Sequence, residues 1–166
     1  MRHVAQLFDD HHQSLYRYLV RLSGDADLAA DAVQEAFLRL VERPPAVAGG
    51  ERAWLFTVAT NVVLETARTR TRRGRLLATA EARAPIGDPP RDPHELVEAD
   101  ERRRVVSQAL ATLSEKERTA LLMREEGFTH REIAEAVGTT TGSVGALVAR
   151  ALDKLAALLA LDREGV

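Results

Sequence analysis

The sequence predicts an all-α fold of two small helical domains joined by a flexible linker. Three observations carry that prediction. Apolar residues recur at helical spacing in both halves of the chain. Gly87-Asp88-Pro89-Pro90-Arg91-Asp92-Pro93 packs three prolines into seven residues, a density no helix tolerates. The length of 166 residues is enough for two modules of roughly 60–75 residues, each near the lower limit for independent folding. The expected boundaries are 1–73 for the first domain, 74–94 for the linker and 95–166 for the second domain.

In the first domain, Leu7–Leu22 reads as a helix closed by Ser23-Gly24. Ala29, Ala32, Val33, Ala36, Phe37 and Leu40 then fall at i, i+3, i+4, i+7, i+8 and i+11, the buried stripe of a second helix. Asp25 or Asp27 is its expected N-cap and Pro44-Pro45 its stop. Arg43–Arg52, with two prolines and Gly49-Gly50, is a loop. A third helix starts near Ala53 or Trp54 and runs through Leu55, Val58, Ala59 and Val62 into Arg68, Arg70, Arg72, Arg73 and Arg75. The linker is expected to be semi-rigid near its prolines and mobile elsewhere.

The second domain is punctuated more sharply. Ser114-Glu115-Lys116-Glu117 and Thr129-His130-Arg131-Glu132 both fit the capping box, in which hydroxyl and carboxylate satisfy orphan amides reciprocally. Gly127 and Gly138 stand where glycines close the helices those boxes open. The expected elements are helix Glu115–Glu126, helix His130–Val137, a turn at Gly138–Thr141 and a final helix to about Leu161. A short helix, a tight glycine turn and a longer helix make a helix-turn-helix.

Composition excludes several function classes. There is no cysteine, so disulfides and thiolate chemistry are absent, as suits a reducing cytoplasm. Met1–Val20 has no signal-peptide pattern, and nothing approaches the apolar run that membrane insertion needs. His3, His11, His12, His94 and His130 show no metal-ligand spacing, and there is no phosphate loop or nucleophile elbow. No catalytic centre, metal or cofactor is therefore expected. The net charge of −2 divides into +1 over residues 1–73 and −3 over residues 95–166, with the five arginines from Arg68 to Arg75 as a local exception. That run is either a solvated helix end or a phosphate track.

Two polar faces qualify as binding surfaces. Asp31, Gln34, Glu35 and Leu38 lie at i, i+3, i+4 and i+7, opposite the core stripe of the second helix. Asn61, Glu65, Arg68 and Arg72 align at i, i+4, i+7 and i+11 on the third helix, where an amide and two guanidiniums suit phosphates and base edges. Among the seven aromatics, Trp54 and Phe56 are read as core, with base stacking as the alternative.

The segments Asp31-Ala32-Val33-Gln34-Glu35-Ala36-Phe37, Trp54-Leu55-Phe56-Thr57-Val58-Ala59-Thr60-Asn61, and Glu132-Ile133-Ala134-Glu135 with Ser143-Val144 and Arg150-Ala151 resemble the bacterial extracytoplasmic-function (ECF) sigma factors. The resemblance spans both modules and their order. It implies a sigma-2 helical bundle at about 1–73, a linker threaded toward the polymerase active centre, and a sigma-4 helix-turn-helix domain at about 95–161. It also implies that the chain binds core RNA polymerase and directs promoter-specific transcription initiation without being an enzyme itself. Asp31, Gln34, Glu35 and Leu38 would dock on the β′ clamp helices. The Arg43–Arg52 loop would capture a base flipped from the −10 element, with Asn61, Arg68, Arg70, Arg72 and Arg73 following the strand. Arg131, Thr140, Thr141, Ser143 and Arg150 would meet the −35 element, and the same domain would rest on the β flap. Promoter DNA and an anti-sigma factor are the further implied partners.

The chain departs from the family in its final helix. Ser143-Val144-Gly145-Ala146-Leu147-Val148-Ala149 has no charge before Arg150, where relatives commonly carry Lys and Arg. Val144, Val148, Ala151 and Leu155 should face the core, and Leu147 should fall on the DNA side. Three explanations stand: −35 contact through the Thr140, Thr141 and Ser143 hydroxyls with Arg131 and Arg150 on phosphates; a protein-binding surface with Leu147 as apolar anchor; or −35 reading largely lost. Thr60 stands where an Arg is frequent, removing a phosphate contact, and Glu65 where an Asp is frequent. Two rival functions remain, a stand-alone helix-turn-helix regulator of duplex DNA and a sigma-like adaptor that sequesters an anti-sigma factor.

Overall fold

The computed structural model describes residues 2–46, 49–74 and 93–164. Among them are seven helices and no strand, and the chain divides into two compact units, Met1–Ile86 and Gly87–Val166. Most of the linker expected over 74–94 lies outside the described residues.

The first unit is a three-helix bundle of α1 (Arg2–Ser23), α2 (Ala26–Glu42) and α3 (Glu51–Gly74). Asp25 is the N-cap of α2, its carboxylate accepting the Leu28 amide at 2.9 Å, which decides between the two aspartates. Only Gly24 and Asp25 separate α1 from α2, so the pair must run antiparallel. Accordingly Phe8 near the start of α1 meets Phe37 near the end of α2, edge to face at 5.0 Å. The predicted stripe of α2 is buried from Ala29 to Leu40. It packs against Leu15, Leu19 and Leu22 of α1 and Leu55, Phe56 and Val63 of α3, which are all but fully buried as well. Inside that core the Tyr18 hydroxyl and Thr60 Oγ1 form a 2.8 Å hydrogen bond, so neither polar group is left dry.

The second unit holds α4 (Pro93–Ala111), α5 (Glu115–Glu125), α6 (His130–Val137) and α7 (Thr141–Glu164). Both capping boxes form in full. Gly127 and Gly138 take φ +85° and +70°, the left-handed conformation that glycine adopts without a Cβ penalty. Helix α4 is not announced by the sequence pattern. Seven of residues 95–104 are charged, so its apolar stripe is confined to the last two turns, where Ala109 and Leu110 are buried. Pro93 suits a first helical position, and Arg118 closes the other end. Its guanidinium donates to the carbonyls of Leu110 at 2.8 Å and Leu113 at 3.1 Å, acceptors that a helix terminus otherwise leaves unpaired.

Among the described residues of this unit, the buried Thr119 Oγ1 has no hydrogen-bond partner. An unsatisfied buried hydroxyl costs about 1–3 kcal/mol. Thr119→Val, nearly the same shape, is therefore expected to raise the unfolding free energy of the second unit by about 1 kcal/mol. Urea denaturation checks this, and a loss of stability would show that the hydroxyl has a partner.

Candidate functional site

Burial of the α2 stripe turns the other side of that helix to solvent. Asp31, Gln34 and Leu38 are exposed there, and Glu35 is half-buried. Glu35 is also spoken for within the helix, since its Oε1 accepts from Arg39 Nε at 2.7 Å. Leu38 is 54% exposed, and Val41, one turn further, is 62% exposed. Two large aliphatics held in water beside Asp31 and Gln34 make a surface that gains by being covered. Val41 had a sequence signal: it lies seven positions after Gln34 and three after Leu38, the same face.

The loop after α2 opens at Arg43, the exposed C-cap residue. Arg52, expected in the loop, instead belongs to the first turns of α3, because that helix begins at Glu51. Its guanidinium lies 5.2 Å from the Phe56 ring centroid, a cation–π contact with a core residue. Glu51 anchors the loop end, accepting the Gly49 amide at 2.8 Å. Phe56 is fully buried, so it is a core residue and not a stacking platform, while Trp54 is half-buried.

Along α3, Asn61, Glu65, Arg68 and Arg72 are all exposed on one face, as their spacing requires. The arginines 68, 70 and 72 are two apart, and each step of two turns about 200° round a helix. Arg70 therefore leaves the opposite side and bonds Asp25 Oδ2 at 2.7 Å. The strut ties the end of α3 to the start of α2. The Leu28 amide above all, and then Arg70, hold the Asp25 carboxyl below its ordinary pKa against the opposing effect of burial. Thr60 is buried in the core, so this position points away from any phosphate.

In the second unit, α6 and α7 present a helix-turn-helix. Arg131 is exposed and, among the described residues, pairs with Glu135 one turn on at 3.3 Å. An exposed pair of this kind is worth about 0.3–0.5 kcal/mol, little enough for a phosphate to displace it. Thr140 Oγ1 and Ser143 Oγ are 2.7 Å apart at the start of α7, beside the exposed Thr141. The placement expected for Leu147 is corrected here: it is buried, continuing the stripe Val144, Val148 and Ala151 at i+3. It cannot serve as an apolar anchor for a partner. The solvent side of the helix is instead lined by Gly142, Ala146 and Ala149.

Glu117 was not singled out from the sequence beyond its cap. It is buried, accepts the Ser114 amide at 3.0 Å, and faces Lys154 Nζ at 2.7 Å and Arg150 Nε at 3.6 Å from α7. The Lys154 hydrogen bond, then the Ser114 amide, lower its pKa despite burial. Among the described residues no group of His, Asp and Glu could hold a metal ion, and no helix is long and apolar enough to cross a membrane.

Comparison with known proteins matches this arrangement to two family profiles, Sigma-70 region 2 over residues 7–73 and Sigma-70, region 4 over residues 103–155. The ECF RNA polymerase sigma factor SigL of Mycobacterium tuberculosis is 35% identical over 146 residues, covering 85% of this chain and 80% of SigL. The ECF RNA polymerase sigma factor EcfG of Rhodopseudomonas palustris is 34% identical over 152 residues, covering 90% and 81%. In fold, the chain superposes on the sigma factor RpoE of Bartonella quintana, solved in complex with the anti-sigma factor NepR. That TM-score is 0.77 at 23% identity, over 98% of this chain and 99% of the other.

The lowered Asp25 pKa carries a signed consequence. A carboxyl depressed in the folded state contributes stability above its unfolded value and loses it as pH falls through the folded one. The stability difference between wild type and Asp25→Asn, which keeps a competent cap, is expected to be present near neutral pH and to close as pH drops below about 3.8. Denaturant titrations across that range check it; a difference that persists in strong acid would show that the Arg70 strut does not depend on the charge.

Proposed function

This chain belongs to the ECF sigma factors of the sigma-70 family, and from that premise we propose how its surfaces divide the work of promoter-specific initiation by RNA polymerase. The first domain, 1–73, docks on the polymerase β′ clamp helices through Asp31, Gln34, Glu35 and Leu38, to which Val41 is added. It reads the −10 element with the loop that begins at Arg43 and with Asn61, Arg68, Arg72 and Arg73 along α3. Arg52 and Arg70 support those surfaces within the domain, the first through Phe56 and the second through Asp25. The second domain, 95–166, meets the −35 element with Arg131, Thr140, Thr141, Ser143 and Arg150 and rests on the β flap. The polymerase performs the chemistry; the chain is a cytoplasmic specificity subunit that takes no cofactor, its two domains joined through residues 74–94. Two chains of similar fold were solved in complexes, RpoE with the anti-sigma factor NepR and CnrH with the cytosolic domain of CnrY, and an anti-sigma factor is proposed here too.

The observation that carries the reading is the α2 surface. A duplex-binding repressor needs its helix-turn-helix and has no use for a second domain that keeps Leu38 and Val41 in water beside Asp31 and Gln34. Burial of Leu147 also removes the apolar anchor of the protein-binding surface weighed for α7.

Gln34→Ala combined with Glu35→Ala is expected to weaken association with core polymerase about tenfold while the fold is kept, since only the helical Glu35–Arg39 pair is lost from the domain itself. Binding of labelled variant to purified core polymerase checks this, and wild-type affinity would refute the docking face. Arg68→Ala and Arg72→Ala should each slow promoter opening and reduce its salt dependence by about one unit of slope. Opening rates measured across a potassium chloride series would expose an unchanged slope.

A further inference from the structure

The recognition helix has a shortage of positive charge, and Arg150, its first cation, is already beside a buried carboxylate. Charge arithmetic shows what is left over. Glu117 is faced by Lys154 at 2.7 Å and by Arg150 at 3.6 Å. One carboxylate between two cations leaves a net positive charge. Lys154 is hydrogen-bonded to Glu117, whereas Arg150 stands beyond hydrogen-bond reach with its side chain 58% exposed. Lys154 thus supplies the neutralisation and Arg150 keeps its charge for something outside the domain.

The direction of approach matters as much as the charge. Glu117 meets Arg150 at Nε, which leaves the Nη nitrogens without a partner among the described residues. Those nitrogens form the end of the planar fork that binds phosphate bidentately. Arg150 is seven residues after Ser143, two turns along nearly the same side of α7. It borders the exposed Ala146 and Ala149, where small side chains permit close approach.

We infer that Glu117 is a positioning residue for duplex DNA: it holds Arg150 from the Nε side while Lys154 cancels its charge, so that the Nη edge of Arg150 meets a backbone phosphate beside the −35 element. The inference rests on the reading of α6 and α7 as the −35 module. It also gives a buried acid a role in binding a polyanion, which net electrostatics would not assign to it.

That opposition makes the test decisive. Holoenzyme is assembled from core polymerase and the full chain, and its affinity for a labelled promoter duplex recovered by transcript-start mapping is measured across a potassium chloride series. Glu117→Gln keeps an acceptor at the third position of the capping box, where Gln also serves. Removing a negative charge near DNA would by itself tighten binding; the positioning role requires the reverse, an affinity roughly tenfold lower and a salt slope smaller by about one. Arg150→Ala should give the same loss, and the double variant no more than either alone. Ser114→Ala, which weakens the cap but keeps the carboxylate, should lower stability and leave the slope intact. Binding by Glu117→Gln equal to or tighter than wild type, or additive losses in the double variant, overturns the inference. Should Glu117→Gln fail to fold, Arg150→Ala leaves the cap untouched, and an unchanged slope there overturns it as well. A duplex with a scrambled −35 element separates the two levels. If wild type does not distinguish it, the −35 reading fails and the positioning role with it; if wild type distinguishes it and Glu117→Gln behaves as wild type, only the positioning role fails.

Discussion

Burial of the α2 stripe between α1 and α3 sets the rotation of that helix about its own axis, and most of what the first domain offers follows from this. With Ala29, Ala32, Val33, Ala36, Phe37 and Leu40 inside, the opposite side has only one place to go. Asp31, Gln34, Leu38 and Val41 must face water or a partner. The same bundle then orients α3, whose inward residues Leu55, Phe56, Ala59, Thr60 and Val63 force Asn61, Arg68 and Arg72 outward. Each deeply buried aliphatic contributes about 1.5–3 kcal/mol. The exposed pairs and caps contribute about 1 kcal/mol or less apiece. Packing therefore decides the geometry, and polar groups adjust to it.

The second domain depends more on punctuation, because α5 and α6 have only 11 and 8 residues. Two full capping boxes and two left-handed glycines set where α5 and α6 begin and end. Arg118 stitches the end of α4 to α5, and Glu117 joins α5 to α7. One residue then serves two levels at once, since the carboxylate that closes a cap also faces the cations of the recognition helix. That helix carries glycine and alanine with no charge before Arg150, so the proposed phosphate contact rests on how Arg150 is held.

Much of this was legible in the sequence, and the failures share a physical cause. Helix periods, caps and stops are local signals within about four residues; α5 and α6 have boundaries within a residue of those expected, and α2 lies between the first of its two expected caps and its proline stop. The alternation of Arg68, Arg70 and Arg72 around α3 is equally local, and it is what turns Arg70 toward Asp25. Contacts between residues far apart in the chain were not readable: Asp25 with Arg70 is separated by 45 positions and Glu117 with Lys154 by 37, and no spacing rule connects them. Leu147 failed differently. It stands at the edge of its stripe, where period alone does not decide between core and surface, and it is buried on a helix that packs against α5 and α6. Helix α4 was hidden by charge, for a run of acids and arginines has no apolar period to detect.

The central claim is that this chain, bound to core polymerase, selects where transcription begins. Run-off transcription with purified core polymerase over fragmented genomic template, followed by sequencing of transcript starts, tests it most directly. The account predicts discrete starts that require the chain and share paired upstream elements at a constant spacing. Transcripts indifferent to the chain, or a chain that occupies duplex DNA without polymerase and yields no new starts, would contradict it.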